Sequence, residues 1–368
     1  MYNGNRRYES SGRTKKVYGR GKGKATDRSP MKEGTDEELR SALLLLDHRS
    51  YAAYKSLAGS YRFGFYTLFI DHVQGDPFAA PSRLRVEISS GRAGFPEKLR
   101  STPETRRALQ DDLTRRFYKA SRKYDRKAHG SGKSGAIGCS NPGQEILERS
   151  CCQFGEDGSL TFRFTVGFPA AGRTILAKEL EKILFSEIPS IVSESLLYSS
   201  LNPGELRKTA DLAEDQTELR RSILERGFIA FVADGSVLPR ESGVSQKPLK
   251  NAVAFRSPDE DRISVTLPHV GEITGMGIRR GITLVIGGGY HGKSTLLQAL
   301  ERGVYDHIAG DGREFVVTDD TAVKIRAEDG RAVRSVNISP FIRDLPSGKK
   351  TESFSSDDAS GSTSQAAA

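Results

Sequence analysis

The chain has 368 residues, a formal net charge of +9, 36% apolar residues and 28% charged residues. This length permits two domains with substantial cores, and the composition is typical of a globular protein. No apolar run approaches the roughly eighteen residues of a membrane helix, and the start has no apolar segment typical of a secretory signal. We therefore expect no membrane partner and an intracellular location, in the cytoplasm or nucleus, with an organelle not excluded.

The chain contains three cysteines, at Cys139, Cys151 and Cys152. Their spacing fits neither a zinc site nor an even-numbered disulfide framework. A reducing compartment is the simplest interpretation.

The first 30 residues carry most of the net charge. They hold nine basic and two acidic residues, so the remaining chain has a net charge of only +2. Because this segment has five glycines and one branched aliphatic side chain, Val17, we predict a disordered basic tail over residues 1–30. Its cations can attract phosphate backbones, which makes RNA a candidate partner. The candidate nucleic-acid contacts are Arg6, Arg7, Arg13, Lys15, Lys16, Arg20, Lys22 and Lys24.

Residues 31–250 show the mixed patterns of an α+β N-terminal domain. A capping box at residues 35–38 predicts the start of a helix. The stretch SRLRVEIS, residues 82–89, alternates apolar and polar side chains and predicts a strand. We place a domain boundary in the turn-rich connector near residue 250, so that residues 251–368 form the second domain.

A second helix is predicted to begin at Thr102 and Pro103. Its apolar stripe recurs every four residues, at Leu109, Leu113 and Phe117. Its other face is basic and could form a nucleic-acid groove with the basic loop that follows, although an ordinary solvated surface explains it as well. The basic side chains are Arg106, Arg107, Arg115, Arg116 and Lys119.

That following loop, residues 121–138, contains Gly132-Lys133-Ser134, which imitates a phosphate loop. The imitation fails because no apolar strand leads into it and Lys127 stands where the first glycine would be. We expect an exposed basic loop.

The strongest chemical signal is ITLVIGGGYHGKSTLLQALERG, residues 282–303. The β-branched run at 282–286 predicts a buried strand, residues 287–294 match G-x-x-x-x-G-K-[ST], and a helix follows. Glycines let backbone N–H groups approach phosphates, the lysine reaches the β- and γ-phosphates, and the serine binds Mg²⁺. The predicted cofactors are therefore ATP and Mg²⁺. The predicted contacts here are Gly287, Gly288, Gly289, Gly292, Lys293, Ser294 and Thr295, with Ser294 as the metal ligand.

Two other interpretations of this region compete with the phosphate loop. The glycines also satisfy G-x-G-x-x-G with Asp319 after the next strand, but Lys293 and Ser294 would be superfluous for a dinucleotide. Alternatively, Asp319 could end a second apolar strand and organise Mg²⁺ in a kinase-like enzyme. Against this, residues 322–338 have the pattern of a hairpin that turns at 328–330.

Several segments, taken in order, resemble the predicted ATPases of the ABC class, a stand-alone family. They include FTVGFPAAGR, FVADGSVLPR, GGGYHGKSTLLQALERGVYDHIAGDGREFVVTD and ASGSTSQAA. The resemblance runs from about residue 38 to the last residue. It implies an α/β fold: a P-loop NTPase (ABC ATPase-like) domain, preceded by the α+β N-terminal domain and the basic tail.

The resemblance also implies residue roles. Ser360, Gly361 and Gln365 would form the signature that contacts the nucleotide of a second copy, so that the ATPase domains form a homodimer. An aromatic side chain is expected beside adenine, for which Phe255 and His269 are candidates. Family members continue beyond the signature to a Walker B strand and a catalytic glutamate. We therefore expect the domain to be C-terminally incomplete here, and we assign no catalytic residue.

The resulting functional prediction is an ATP-binding ABC-class ATPase whose full-length form hydrolyses ATP as a dimer and couples it to RNA binding. The main alternative is a nucleotide-dependent RNA-binding module that does not hydrolyse ATP. A kinase-like enzyme that uses Asp319 is the less favoured alternative.

Overall fold

The computed structural model describes residues 32–124, 130–286, 292–325, 330–345 and 347–368. The predictions for the basic tail, for Gly287, Gly288 and Gly289 of the phosphate loop, and for the turn at 328–329 lie outside these residues.

The helices begin where capping and proline signals occur in the sequence. The predicted capping box is confirmed: Thr35 Oγ1 accepts from Glu38 N at 3.2 Å, and Thr35 N donates to Glu38 Oε2 at 2.7 Å. Thr102 likewise caps a helix that has Pro103 in its first turn. The α-helices are α1 Asp36–Leu44, α2 Ser90–Ala93, α3 Pro103–Ser121, α4 Ala177–Lys182, α5 Ile188–Leu196, α6 Pro203–Glu225, α7 Lys293–Arg302 and α8 Gly361–Ala366. A π-helical segment, Ile183–Glu187, joins α4 to α5.

The strands are short and belong to several sheets. In chain order they are β1 Glu33–Thr35, β2 Gly59–Arg62, β3 Thr67–His72, β4 Ser82–Ile88, β5 Ile137–Gly138, β6 Glu145–Ile146, β7 Cys152–Phe154, β8 Leu160–Val166, β9 Ala170–Ala171, β10 Thr174–Ile175, β11 Phe228–Ala233, β12 Arg262–Leu267, β13 Gly271–Arg279, β14 Asp306–His307, β15 Val316–Thr318, β16 Arg331–Val336 and β17 Phe354–Ala359.

The first sheet lies in the N-terminal part and has the order β1-β2-β3-β4-β8-β5, with β7 also paired to β8. Its pairs are antiparallel except β1 with β2. The strand predicted at residues 82–89 is confirmed as β4, where Leu84, Val86 and Ile88 are buried.

Helix α3 packs onto this sheet through the stripe that the sequence predicted. Leu109, Leu113 and Phe117 are all buried. The ring of Phe117 stacks on that of Phe162 of β8, with centroids 4.1 Å apart. Burying each such side chain contributes about 1.5–3 kcal/mol, so this layer is a main source of the stability of the N-terminal part.

A second sheet has the order β12-β13-β11-β15 and is antiparallel throughout. Helix α6 covers it, since Leu219 and Ile223 pack with Phe228 and Phe231 of the inner strand β11. The sheet uses strands from both sides of residue 250, and the domain boundary near that residue stays a prediction.

The hairpin expected within residues 322–338 is not observed among the described residues. Strand β16 pairs instead with β17, and residues 322–325 are exposed and outside any strand. The reason is burial: Val333, Ile338, Phe354 and Ala359 form a small core of their own. A local turn signal could not reveal this more distant partner.

The N-terminal part and the P-loop region meet at a buried carboxylate. Strand β14 pairs with β6, and the Asp306 side chain in β14 accepts from Arg107 of α3 at 2.7 Å and from Arg220 of α6 at 3.0 Å. Arg220 also donates to the carbonyl oxygens of Gly303, at 2.8 Å, and Thr318. These charged hydrogen bonds offset the cost of burying the carboxylate.

We predict that Asp306→Ala strongly destabilises the protein. Removing the carboxylate leaves two arginines without their shared partner, which typically costs about 3–5 kcal/mol of unfolding free energy. The measurement is urea unfolding followed by circular dichroism. Asp357→Ala is the matched control, because Asp357 is 85% exposed and its ion pair with Arg334 lies at the surface. Equal midpoints for the two variants would contradict the role of Asp306.

Candidate nucleotide-binding site

Helix α7 begins directly after a glycine with a positive φ. Gly292, its N-cap, has φ 81° and ψ 2°, in the left-handed region that favours glycine. The next three residues, Lys293, Ser294 and Thr295, form the first turn of α7, and no side chain caps it. The first N–H groups of a helix lack partners within the helix and carry a partial positive charge. This turn can therefore bind an anion.

The helix is fixed by strand β15, which lies beside it. Ala299 is fully buried and packs with Val232 and Val316. Thr318 Oγ1 donates to Leu300 O at 2.8 Å, and Thr318 N donates to Gly303 O at 2.8 Å. The contacts at the end of α7 thus set the direction in which its first turn points.

A cavity of about 420 Å³ opens beside that first turn. One wall is apolar, and the other carries the lysine and the start of the helix. The lining residues are Leu238, Pro239, Val253, Phe255, Val285, Ile286, Gly292, Lys293, Thr295 and Leu296. An apolar wall next to an anion-binding turn suits a nucleotide, whose aromatic base stacks through its ring faces and whose phosphates are charged.

The prediction of a buried strand at residues 282–286 is wrong. The segment forms no strand, and the exposed fractions of Ile282, Leu284 and Ile286 are 103%, 81% and 78%. A β-branched run has strand propensity, but a strand is stable only when it pairs with neighbours and buries a face. Among the described residues no strand pairs with this segment, so the propensity is not realised.

Two family models match the chain. One, for the N-terminal region of ATPases of the ABC class, matches residues 36–199, and the other, for the P-loop domain of ABC ATPases, matches residues 202–368. The chain belongs to the ATPases of the ABC class. The resemblance identified from the sequence is thereby confirmed, and so is a P-loop domain preceded by an N-terminal domain.

One curated relative is the uncharacterized protein MJ1628 of Methanocaldococcus jannaschii. It is 31% identical over 144 residues, which are 37% of this chain and 32% of that protein. The match therefore spans about a third of the length of that relative. In the part of the ABC-class ATPase that the structure describes, no helix has the length and apolar character needed to cross a membrane.

Asp319, the acid of the kinase-like alternative, lies just after β15. Its Oδ1 accepts from Thr321 Oγ1 at 2.7 Å and from Thr321 N at 2.9 Å. These hydrogen bonds lower the pKa of the carboxyl group. The side chain therefore closes the turn that follows the strand.

The residues predicted to form the signature, Ser360, Gly361 and Gln365, lie on α8 and at its N-cap. Ser360 is its N-cap, and Ser360 Oγ lies 3.0 Å from Thr363 Oγ1. Ser360 and Gln365 are exposed, whereas Thr363 and Ser364 are buried. The Ser-Gly turn therefore opens a helix on which Ser360 and Gln365 are at the surface.

The basic face of α3 is not a free basic surface. Arg115 bonds Asp111 at 2.6 Å and the carbonyl of Glu145 at 3.0 Å. Arg116 bonds Asp112 at 2.7 Å and Glu205 of α6 at 3.0 Å, and Arg107 bonds Asp306. Three of the five side chains thus connect α3 to its neighbours, and the groove that the sequence allowed would lack most of its free charge.

The Gly132-Lys133-Ser134 loop is also packed more closely than expected. Ser134 is fully buried and accepts from Ala170 N at 3.1 Å. Gly132 has φ 64°, and a side chain there would collide with the carbonyl of Pro77. Glycine is required at this position because the backbone passes close to Pro77. This packing requirement accounts for the glycine of the Gly-Lys-Ser sequence without a bound phosphate.

The sequence analysis named Phe255 as an adenine candidate but missed the other apolar residues of the cavity wall, Leu238, Pro239 and Val253. Main-chain bonds between Phe255 N and Ser236 O, and between Gly235 N and Phe255 O, both 2.8 Å, bring Phe255 beside Leu238. The available signal was DGSVLPR directly after the buried strand β11, since site residues concentrate on loops that follow strands. His269, the other adenine candidate, bonds Glu214 of α6 at 2.6 Å and does not line the cavity.

We predict that Phe255→Ala weakens ATP binding much more than binding of tripolyphosphate. Base–aromatic stacking contributes about 1–3 kcal/mol, so ATP affinity should fall about fivefold to a hundredfold. Titration calorimetry with both ligands gives the comparison. Phe341→Ala is the control, because Phe341 is 78% exposed and lines no part of this cavity. Equal losses for both ligands would argue against a base at Phe255.

Proposed function

We propose that this ABC-class ATPase binds MgATP in the cavity beside α7. The observation that carries the proposal is the left-handed Gly292 followed by an uncapped helix that starts with Lys293 and Ser294. Lys293 would contact the β- and γ-phosphates, Ser294 would ligate Mg²⁺, and Thr295 would lie beside the phosphates. On the basis of the sequence motif, we propose Gly287, Gly288 and Gly289 as further phosphate contacts.

We further propose that two copies act together. Ser360, Gly361 and Gln365 would contact the γ-phosphate of ATP held by the second copy. The exposed positions of Ser360 and Gln365 on α8 support this, since a signature used in trans must be accessible. Closure of the dimer around ATP would precede hydrolysis.

We predict that Lys293→Ala abolishes most ATP binding and any hydrolysis. Loss of a charged hydrogen bond costs about 1.5–3 kcal/mol, so the affinity should fall about tenfold to a hundredfold. Calorimetry and a phosphate-release assay measure the two effects. Lys350→Ala, at an exposed position, is the matched control.

The same measurements separate the two functions. ATP turnover by the wild type above the Lys293→Ala background supports the ATPase. ATP binding with turnover equal to that background supports the binding module that does not hydrolyse ATP. Absence of ATP binding in the wild type contradicts both.

RNA is the nucleic-acid partner that we propose for the ABC-class ATPase. The support is the basic tail, which contains nine basic and only two acidic residues within 30 positions. Because α3 uses Arg107, Arg115 and Arg116 internally, the proposal rests on the tail alone. Its proposed contacts are Arg6, Arg7, Arg13, Lys15, Lys16, Arg20, Lys22 and Lys24.

We predict that deleting residues 1–30 weakens RNA binding and flattens its salt dependence. Each phosphate contact that is lost reduces the slope of log affinity against log salt by about 0.7 for single strands. Fluorescence anisotropy over a salt series measures this slope. An unchanged slope after the deletion would rule out the tail as the RNA contact.

A further inference from the structure

A second cavity, of about 280 Å³, lies beside the later turns of α7. Its walls come from residues 144–145, the connector 240–246, and residues 298–302 of α7, with His307, Arg313 and Lys324 completing the lining. Gln298 and Arg302 stand five and nine residues after Lys293, or about 8 and 14 Å along the helix axis. The cavity is therefore distinct from the nucleotide site.

The charged lining contains more cations than it can pair. Arg240 is bound to the fully buried Asp311 at 2.8 Å. Lys324 pairs with Glu301 at 2.6 Å, and Arg302 lies 3.7 Å from Glu145. Among the described residues, this pairing leaves Arg313 without a carboxylate at ion-pair distance.

Arg313 is a buried cation that is only partly satisfied. Its side chain is 3% exposed, and its sole acceptor among the described residues is the carbonyl oxygen of Leu238. Burial and the neighbouring charge of Arg240 lower the pKa of Arg313 to about 10, and the charges of Asp311 and Glu145 oppose this shift without cancelling it. A buried charge of this kind gains strongly from an anion, because the local dielectric is low.

The other lining groups suit an oxyanion. The amide side chains of Gln144, Gln246 and Gln298 can each donate two hydrogen bonds. Arg240 is held in place by Asp311, whose other bond goes to His307 Nδ1 at 2.8 Å. Arg240 is therefore held in a fixed position, and a preorganised guanidinium of this kind binds phosphate groups well.

We propose that this cavity binds a small phosphate-class oxyanion, with Arg313 as its central contact and Arg302 and Lys324 at its rim. The volume lies at the low end for ligand pockets, which favours inorganic phosphate, pyrophosphate or a small phosphorylated molecule over a nucleic-acid strand. The ligand joins the N-terminal part to α7, since both line the cavity.

Calorimetry with pyrophosphate on the full chain tests this proposal. Lys293→Ala serves as the background, because it weakens phosphate binding at the nucleotide site. We expect pyrophosphate binding to persist in this background. Adding Arg313→Gln should then weaken it at least tenfold, whereas adding Arg334→Gln should leave it unchanged, because Arg334 is exposed and does not line the cavity.

Arg302→Gln and Lys324→Gln keep the test valid if Arg313→Gln fails to fold. Both side chains are more than 40% exposed, and each variant should fold normally and weaken pyrophosphate binding severalfold. No binding in the Lys293→Ala background, or binding unaffected by these substitutions, overturns the proposal. If the wild type does not bind ATP but the Lys293→Ala variant still binds pyrophosphate, only the proposed nucleotide function is refuted.

Discussion

The buried carboxylate of Asp306 is the constraint on which the arrangement of the molecule depends. A lone carboxylate in this place would cost several kcal/mol, so the fold must bring cations to it. Arg107 arrives from α3 and Arg220 from α6, although about 200 and 90 residues separate them from Asp306 along the chain. Since Asp306 follows α7 by four residues, the same contacts fix where α7 ends.

Because the C-terminal end of α7 is fixed, the position of its first turn at the nucleotide site is fixed as well. Thr318 bonds the main chain at Leu300 and Gly303, and Arg220 reaches both Gly303 and Thr318. A helix held at its end and along one side has little freedom at its first turn. The anion-binding turn is thus oriented by charges that never touch the nucleotide cavity.

Local signals were sufficient for much of the fold and for the start of α7. The capping box at Thr35, the stripe of α3 and the glycine before Lys293 each depend on neighbours within a few residues. The strand prediction for residues 282–286 is wrong because a strand needs a pairing partner, and local sequence patterns do not show whether one is present. The ion pairs of α3 were accessible from the sequence only in part: Arg115 and Arg116 pair with Asp111 and Asp112 four residues earlier, whereas the partner of Arg107, Asp306, is far along the chain.

The two ends of α7 attract anions by different physical means. At the first turn, the helix dipole and N–H groups that have no acceptor within the helix favour negative charge, so Lys293 adds to an existing field. At the last turn the dipole has the opposite sign and repels an anion. An oxyanion can bind there only if side chains overcome that field, which is why the cations Arg302, Arg313 and Lys324 matter more at this end. The excess positive charge in the second cavity is consistent with that requirement.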